Sequence, residues 1–159
     1  MKQSSRTPDG IDIQGRDRQF DLKNVLATDW LDNDAFKTAF FNAMSISFPI
    51  GEKSFIDSVR AFEDRISDDK LNQEVKGFYR QEGLHSREHR KYNELLCAQR
   101  GYDLAKLEAP FSKRIEQAKA NKRVTPKILL ASTVGMEHIT AIFADKALRG
   151  WPLENADAR

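Results

Sequence analysis

The fold is set by residues 67–101, which read SDDKLNQEVKGFYRQEGLHSREHRKYNELLCAQRG. Ser67, Asp68 and Asp69 are residue types that cap the start of a helix, and Gly101 is the type that ends one in a left-handed conformation. Between them, apolar and aromatic side chains recur every three or four positions: Leu71, Val75, Phe78, Tyr92 and Leu96. This spacing is typical of a helix that packs one face against a core. We therefore predict one long helix that ends at Gly101.

The middle of this apolar face is polar. Glu82, His85 and His89 occupy the positions where the spacing requires apolar residues. At 100° per residue, these three side chains lie within about 60° of one another over roughly two turns. An uncompensated buried carboxylate costs several kcal/mol, so this stretch indicates a partner for the charge.

The rest of the chain also predicts helices. Asp32, Asn33 and Asp34 offer caps for a helix through Met44, and Pro49 is expected to interrupt it, because proline disfavours helix at the preceding residue. The run at 51–66 is either a separate helix or a kinked continuation of the first one. Further helical runs are predicted at 104–120 and 126–150, the last one starting at Thr125-Pro126. The expected fold is all-α, an antiparallel bundle formed by residues 31–150, with a polar arm at 1–30 and a tail at 151–159.

Two other predicted helices repeat the polar interruption. Glu52 begins an inward-facing stripe, and Glu137 lies in the middle of another, with His138 beside it; the stripes are Glu52, Phe55, Val59, Phe62, Ile66 and Leu130, Val134, Glu137, Ala141, Ala144, Leu148. Three helices thus each place a glutamate inward, and all three histidines of the protein fall in or next to these positions.

This combination predicts a metal site. Carboxylate and imidazole groups are ligands for iron, manganese or zinc, and a Glu-x-x-His pair such as Glu82 and His85 is the form that such sites take in helical bundles. Of the divalent cations, iron is preferred here over zinc or manganese. Glu63 lies 11 positions from Glu52, about 16 Å along a helix, so it cannot share the same cation.

Composition excludes several other functions. The 26 basic and 24 acidic residues give a net charge of +2, which is too even for a dedicated nucleic-acid binder. Cys97 is the single cysteine, so the chain has neither an internal disulfide nor a cysteine-built metal site. We see no apolar run of membrane-spanning length and no apolar stretch of a signal peptide, and we expect a cytoplasmic protein without a membrane span.

The segments that carry these residues resemble the bacterial family of predicted metal-dependent hydrolases, which have a ferritin-like helical bundle. The resemblance rests on SFPIGEKSFI at 47–56, QEGLHSREH at 81–89 and MEHITA at 136–141, and it covers about residues 18–150 in the same order. It implies metal-ligand roles for Glu52, Glu82, His85 and Glu137. It also implies that His89 and His138 are ligands or support ligands.

One departure from the family pattern affects these expectations. Family members run on, beyond the equivalent of Trp151-Pro152, into a further helix with a second Glu/His cluster, whereas this chain stops at Arg159. The chain therefore resembles a member truncated before its last ligand helix. In that case one flank of the bundle would be uncovered. We expect the chain alone to bind metal weakly, or to form a homodimer in which a second copy covers this flank.

Three functions remain open at this stage. The resemblance favours a metal-dependent hydrolase that acts on a small molecule of unknown identity. The same ligands suit a di-iron oxidase or oxygenase. The expected truncation favours a non-enzymatic helical protein that binds a partner.

Overall fold

The computed structural model describes residues 7–8, 10–11 and 14–150, and this part of the chain contains four α-helices, one short 3₁₀ turn and no strand. The helices are α1 (Ala35–Arg60), α2 (Asp69–Arg100), α3 (Leu104–Ala120) and α4 (Pro126–Gly150), and the turn is Glu63–Arg65. The all-α prediction is confirmed. The tail at 151–159 and most of residues 1–13 lie outside the described residues.

The helix ends follow from capping residues. The Asp68 carboxylate accepts the Leu71 backbone N–H at 2.8 Å at the start of α2, and Gly101 ends that helix with φ 71°. Asp34 caps α1 and Asp103 caps α3 in the same way. Asp32 and Asn33, offered as caps by the sequence, instead lie in the left-handed region with φ 54° and form the turn before α1.

The predicted interruption at Pro49 is wrong, because α1 continues through this proline. Of the two alternatives for the run at 51–66, the structure has the continuation and not the separate helix. A proline inside a helix has no N–H for the carbonyl four residues earlier, here that of Ser45. The buried side chain of Asn93, on α2, donates from Nδ2 to this carbonyl at 2.9 Å. The lost hydrogen bond is thus replaced from the neighbouring helix, and the helix can continue.

Helix α1 is the centre of the bundle. It runs antiparallel to α2, since Ser45 meets His89 and Asn93 near one end, and Pro49 meets Ser86 further along. It also contacts α3 and α4. A buried hydrogen bond of 2.8 Å between the Ser58 and Thr133 hydroxyls joins α1 to α4.

Residues 14–34, which we call the N-terminal strap, lie along α2 and run in the same direction as that helix. The contacts progress along both segments: Asp17 with Arg87 at 2.5 Å, the Lys23 carbonyl with Gln99 at 2.5 Å, and the Leu26 carbonyl with Arg100 at 2.8 Å. Leu26 completes a small apolar core with Ile46, Leu96 and Cys97.

Helix α4 buries only part of the expected stripe, since Leu130 is partly buried whereas Ala141 and Ala144 are exposed. Thr133 is buried and Glu137 partly buried, whereas Val134, expected in the inward stripe, is 62% exposed. The buried positions are shifted because α4 meets α1 through polar residues such as Thr133. Leu148, the last position of the expected stripe, has a side chain outside the described set.

The exposed side of α4 is apolar. We call it the apolar face of α4, and it comprises Ile128, Val134, Ile139 and Ile142. By length and composition alone, the segment Pro126–Ala147 is long and apolar enough to cross a membrane, with a mean hydropathy of 1.3. The sequence analysis expected no such run. Only 6% of the window is buried in the structure, and a single helix of this kind is weak evidence for a membrane span.

Candidate metal centre

Two of the predicted ligands are buried between α1 and α2, and a third lies at their edge. Glu52, on α1, and Glu82, on α2, are buried, whereas the His85 side chain is 60% exposed. One ligand atom from each of these three residues lies within 4.8 Å of the others. The antiparallel pairing of α1 with α2 produces this arrangement, because it places Glu52 opposite the Glu82 turn.

The carboxyl group of Glu52 is buried next to two other acidic side chains. Burial, followed by the negative charges of Glu82 and Glu137, raises its pKa from 4.5 to about 8, while the Ser86 hydroxyl opposes the rise. Its Oε2 atom is buried without a hydrogen-bond partner. A carboxylate in this state lacks a compensating cation among the described residues.

Burial also shifts the pKa values of Glu82 and His85, which lie on one turn of α2. Burial and the charge of Glu137 raise the pKa of Glu82 to about 7, and burial lowers the pKa of His85. His85 Nδ1 lies 3.9 Å from Glu82 Oε1. The imidazole is therefore favoured in its neutral form, which is the form that binds metals.

Glu137, on α4, faces the same region but lies outside the 4.8 Å group. Its charge is close enough to raise the pKa of both Glu52 and Glu82, and burial raises its own pKa. Its Oε1 atom is buried without a hydrogen-bond partner. The structure thus brings the three glutamates of the sequence analysis to one region of the bundle.

His89 is held one turn beyond His85 with a defined tautomer. Asn93 Nδ2 donates to the Ser45 carbonyl, so Asn93 Oδ1 is the atom that accepts the Ser45 hydroxyl at 2.8 Å. That hydroxyl has a single proton, which it donates to Asn93. At its 3.0 Å contact with His89 Nδ1 it must therefore accept a hydrogen bond from the ring N–H. Neutral His89 therefore carries its proton on Nδ1 and keeps a lone pair on Nε2.

The surroundings of His89 favour this neutral state. Burial, and secondarily the neighbouring His85, lower the pKa of His89 from 6.5 to about 4. The edge of the Phe48 ring packs on the imidazole, with ring centroids 4.6 Å apart. No described residue forms a hydrogen bond with Nε2. His89 is therefore a neutral imidazole at the edge of the site, and the lone pair of its Nε2 atom is free to bind a metal ion.

His138 is exposed on α4 and is not brought together with the other predicted ligands. It follows Glu137 directly, and a step of 100° around the helix turns its side chain away from the direction of Glu137. Its role as a ligand or ligand support stays a prediction.

The sequence analysis missed the residues that support the site. Ser45 and Asn93 fix the orientation of His89, and Ser86 lies near Glu52 with its hydroxyl 3.5 Å from the Pro49 carbonyl. A signal for one of them was present, since Asn93 follows His89 by four positions and so shares its helix face.

The donor set and its spacing fit a divalent cation. Two ligand atoms that each lie about 2.1 Å from one ion are at most about 4.2 Å apart, and the observed group closes to that size with a shift of less than about 1 Å. The exposed His85 ring has the freedom for such a shift. A cation would also compensate the unpartnered oxygens of Glu52 and Glu137.

Comparison with known proteins supports this interpretation. No curated protein and no solved structure matches the chain. A family model described as "predicted metal-dependent hydrolase" matches residues 14–158 and so includes the described Glu/His centre. This match confirms the resemblance that the sequence showed, and the chain therefore belongs to the family of predicted metal-dependent hydrolases.

Proposed function

We propose that the protein hydrolyses a small molecule with a divalent cation held by Glu52, Glu82 and His85. The observation that carries the proposal is the convergence of three ligand atoms within 4.8 Å, two of them on carboxylates buried without a cationic partner. Two carboxylates and an imidazole suit iron, manganese and zinc. Of these we favour iron, as the sequence does.

We assign different roles in the reaction to the metal ligands and to Glu137. A divalent cation in this position supplies a Lewis acid and lowers the pKa of water. The exposed side of His85 leaves the centre open to a substrate from solvent. Glu137 lies outside the ligand group with a raised pKa, which brings it closer to the range where a carboxylate accepts a proton from water near neutral pH.

The first test is the metal content of the purified protein by elemental analysis, for the wild type and two variants. Glu82→Gln removes a ligand charge and is expected to lower metal content at least tenfold. Glu94→Gln changes an exposed carboxylate on the same helix and is expected to leave it unchanged. Full metal content in Glu82→Gln would overturn the assignment of the centre.

The second test is turnover of chromogenic carboxylic and phosphoric esters, measured with and without oxygen. Hydrolysis is expected to continue under anaerobic conditions and to fall with metal content in Glu82→Gln. The alternative is di-iron oxidation, for which the same ligands are suited, and an absolute requirement for O₂ would favour it. Absence of metal together with binding of a partner protein would favour a non-enzymatic function.

A further inference from the structure

A second site lies at the other end of the bundle, where α1, the end of α2 and α3 surround a cavity of about 350 Å³. Its walls are mainly apolar and include Ala39, Ala43, Ile46, Leu96, Leu107 and Phe111. The two alanines lie one turn apart on α1, and their small side chains leave the space open. This volume is in the range of small-molecule pockets.

The cavity is separate from the metal centre. Asn42, which lines the cavity, lies ten residues before Glu52 on α1, a distance of about 15 Å along the helix. The hydrogen-bonded layer of Ser45, His89 and Asn93 lies between them along the two helices. A ligand in the cavity therefore does not need to reach the centre.

Asn42 supplies a fixed hydrogen-bond donor to this cavity. Its Oδ1 accepts the Trp30 indole N–H at 3.1 Å and also the Tyr92 hydroxyl. An indole only donates, so the accepting atom is the oxygen and the amide orientation is settled. Trp30 and Tyr92, which hold the oxygen, do not line the cavity. The NH₂ group is the other branch of the amide, and we infer that it is the part of Asn42 that a ligand in the cavity meets. Asn42 is only 7% exposed, and no described residue accepts from its NH₂ group.

Arg100 supplies the positive charge. It is the one charged residue in the lining, and its guanidinium is anchored by the strap: Nε donates to the Leu26 carbonyl at 2.8 Å, and Nη2 to the Thr28 carbonyl and to Asp29. Its Nη1 donors have no partner among the described residues. No carboxylate lines the cavity itself. Asp29 is paired with Nη2, so Nη1 is the arm of the guanidinium that remains for an anionic oxygen of a ligand.

We propose that this cavity binds a medium-chain carboxylate, with the alkyl chain against the apolar wall and the carboxylate at Asn42 Nδ2 and Arg100 Nη1. The apolar wall selects a hydrocarbon chain, and the donors of Asn42 and Arg100 select an anionic head group. Burial of each methylene of the alkyl chain favours binding. Hydrogen bonds from a charged guanidinium to a carboxylate belong to the stronger class.

The test is isothermal titration calorimetry of the full chain with octanoate, 1-octanol and acetate. Octanoate is expected to bind, 1-octanol at least tenfold more weakly because it lacks the charge, and acetate not at all because it lacks the chain. No binding of octanoate at millimolar concentration, or equal binding of octanoate and 1-octanol, would overturn the proposal.

Variants locate the site. Ala43→Phe fills the cavity and is expected to abolish octanoate binding. Ala109→Phe places the same side chain on α3 about 180° from Leu107 and Phe111, and it is expected to bind as the wild type does. Unchanged binding in Ala43→Phe, or loss in both variants with the fold intact by circular dichroism, would contradict the location.

A second variant tests the donor without filling the cavity. Asn42→Asp keeps an oxygen for Trp30 and Tyr92 but replaces the NH₂ donor with a negatively charged acceptor. It is expected to reduce octanoate affinity at least tenfold while 1-octanol affinity changes less than threefold. Equal loss of both ligands would contradict a role for the Asn42 donor, and metal content serves as a check that the distant centre is intact.

Discussion

The Ser45 hydroxyl connects the backbone of α1 to an imidazole of α2. It accepts from His89 Nδ1 and donates to Asn93, so it determines which nitrogen of His89 keeps its lone pair. Groups that orient a ligand in this way typically change metal affinity 10–100-fold when they are removed. At the scale of single residues, we therefore expect metal affinity to depend on Ser45 as well as on the ligands.

Replacement Ser45→Ala is expected to lower metal affinity about tenfold, because His89 loses the acceptor that fixes its tautomer. Affinity is measured by competition with a chromophoric chelator. Ser47→Ala is the matched control, since its hydroxyl bonds only to the Met44 carbonyl within α1. Equal affinity in wild type and Ser45→Ala would show that His89 plays no part in metal binding.

The raised carboxyl pKa values predict how the stability of the metal-free protein depends on pH. Glu52 and Glu82 have pKa values of about 8 and 7 in the folded state, against 4.5 ordinarily, so the folded protein holds protons that the unfolded chain releases as the pH rises. His89 acts in the opposite direction, but only between its lowered pKa of about 4 and its ordinary 6.5.

Between pH 6.5 and 8, therefore, the carboxylates dominate, and the free energy of unfolding is expected to fall as the pH rises. The slope is about 1.4 kcal/mol per pH unit for each proton by which the states differ. Thermal denaturation in chelator measures it. Glu52→Gln is expected to flatten the slope and Glu94→Gln to leave it unchanged; a stability that rises over this range in the wild type would contradict the prediction.

At the scale of the secondary-structure element, the junction of α1 with α2 depends on Pro49 and Asn93. Asn93→Ala removes the donor to the Ser45 carbonyl and the acceptor of the Ser45 hydroxyl. A loss of about 2–4 kcal/mol in unfolding free energy is expected. Pro49→Ala restores a backbone N–H for the same carbonyl. In that background, Asn93→Ala is expected to cost about 1–2 kcal/mol less.

Urea denaturation of the two single variants, the double variant and the wild type gives this coupling as a double-mutant cycle. The matched control pairs Asn93→Ala with Pro110→Ala, since Pro110 lies inside α3 and not in α1. That pair is expected to be additive. Additivity of the Pro49 pair as well would contradict the role of Asn93 as a replacement donor.

The elements themselves were largely predictable from the sequence, because capping residues act locally. Asp68 and Gly101 bounded α2, and Thr125-Pro126 marked the start of α4, which begins at Pro126. The continuation of α1 through Pro49 was not predictable, since the replacement donor is 44 positions away in the chain. Periodicity also failed to identify the buried stripe of α4, because polar Thr133 packs there while Val134 faces solvent.

The candidate site was also predictable only in part. Glutamates in three apolar stripes indicated Glu52, Glu82 and Glu137, and the structure brings their charges together. The support of His89 by Ser45 depends on the register between two helices, which a single sequence does not reveal.

At the scale of the whole molecule, the apolar face of α4 is exposed in the described part of the chain. Val134 and Ile139 are each 62% exposed on it. The homodimer expected from the sequence stays a prediction, and this face gives it a location. Contiguous exposed apolar surface of this kind marks interaction sites in soluble proteins.

We expect concentration-dependent self-association that the double variant Val134→Lys, Ile139→Lys abolishes, measured by sedimentation velocity. Phe36→Lys is the matched control, since Phe36 is an apolar side chain that is 80% exposed on α1 and not on α4. A monomer at all concentrations would contradict the homodimer. Binding of the wild type to phospholipid vesicles in place of self-association would assign the face to a membrane surface.

The replacement of a backbone donor by the Asn93 side chain also has an evolutionary consequence. A lineage that loses Pro49 regains the N–H for the Ser45 carbonyl, and Asn93 is then released from one of its two tasks. A lineage that loses Asn93 first passes through an unstable intermediate. Among relatives, substitutions at these two positions should therefore occur together, with the change at Pro49 preceding the change at Asn93.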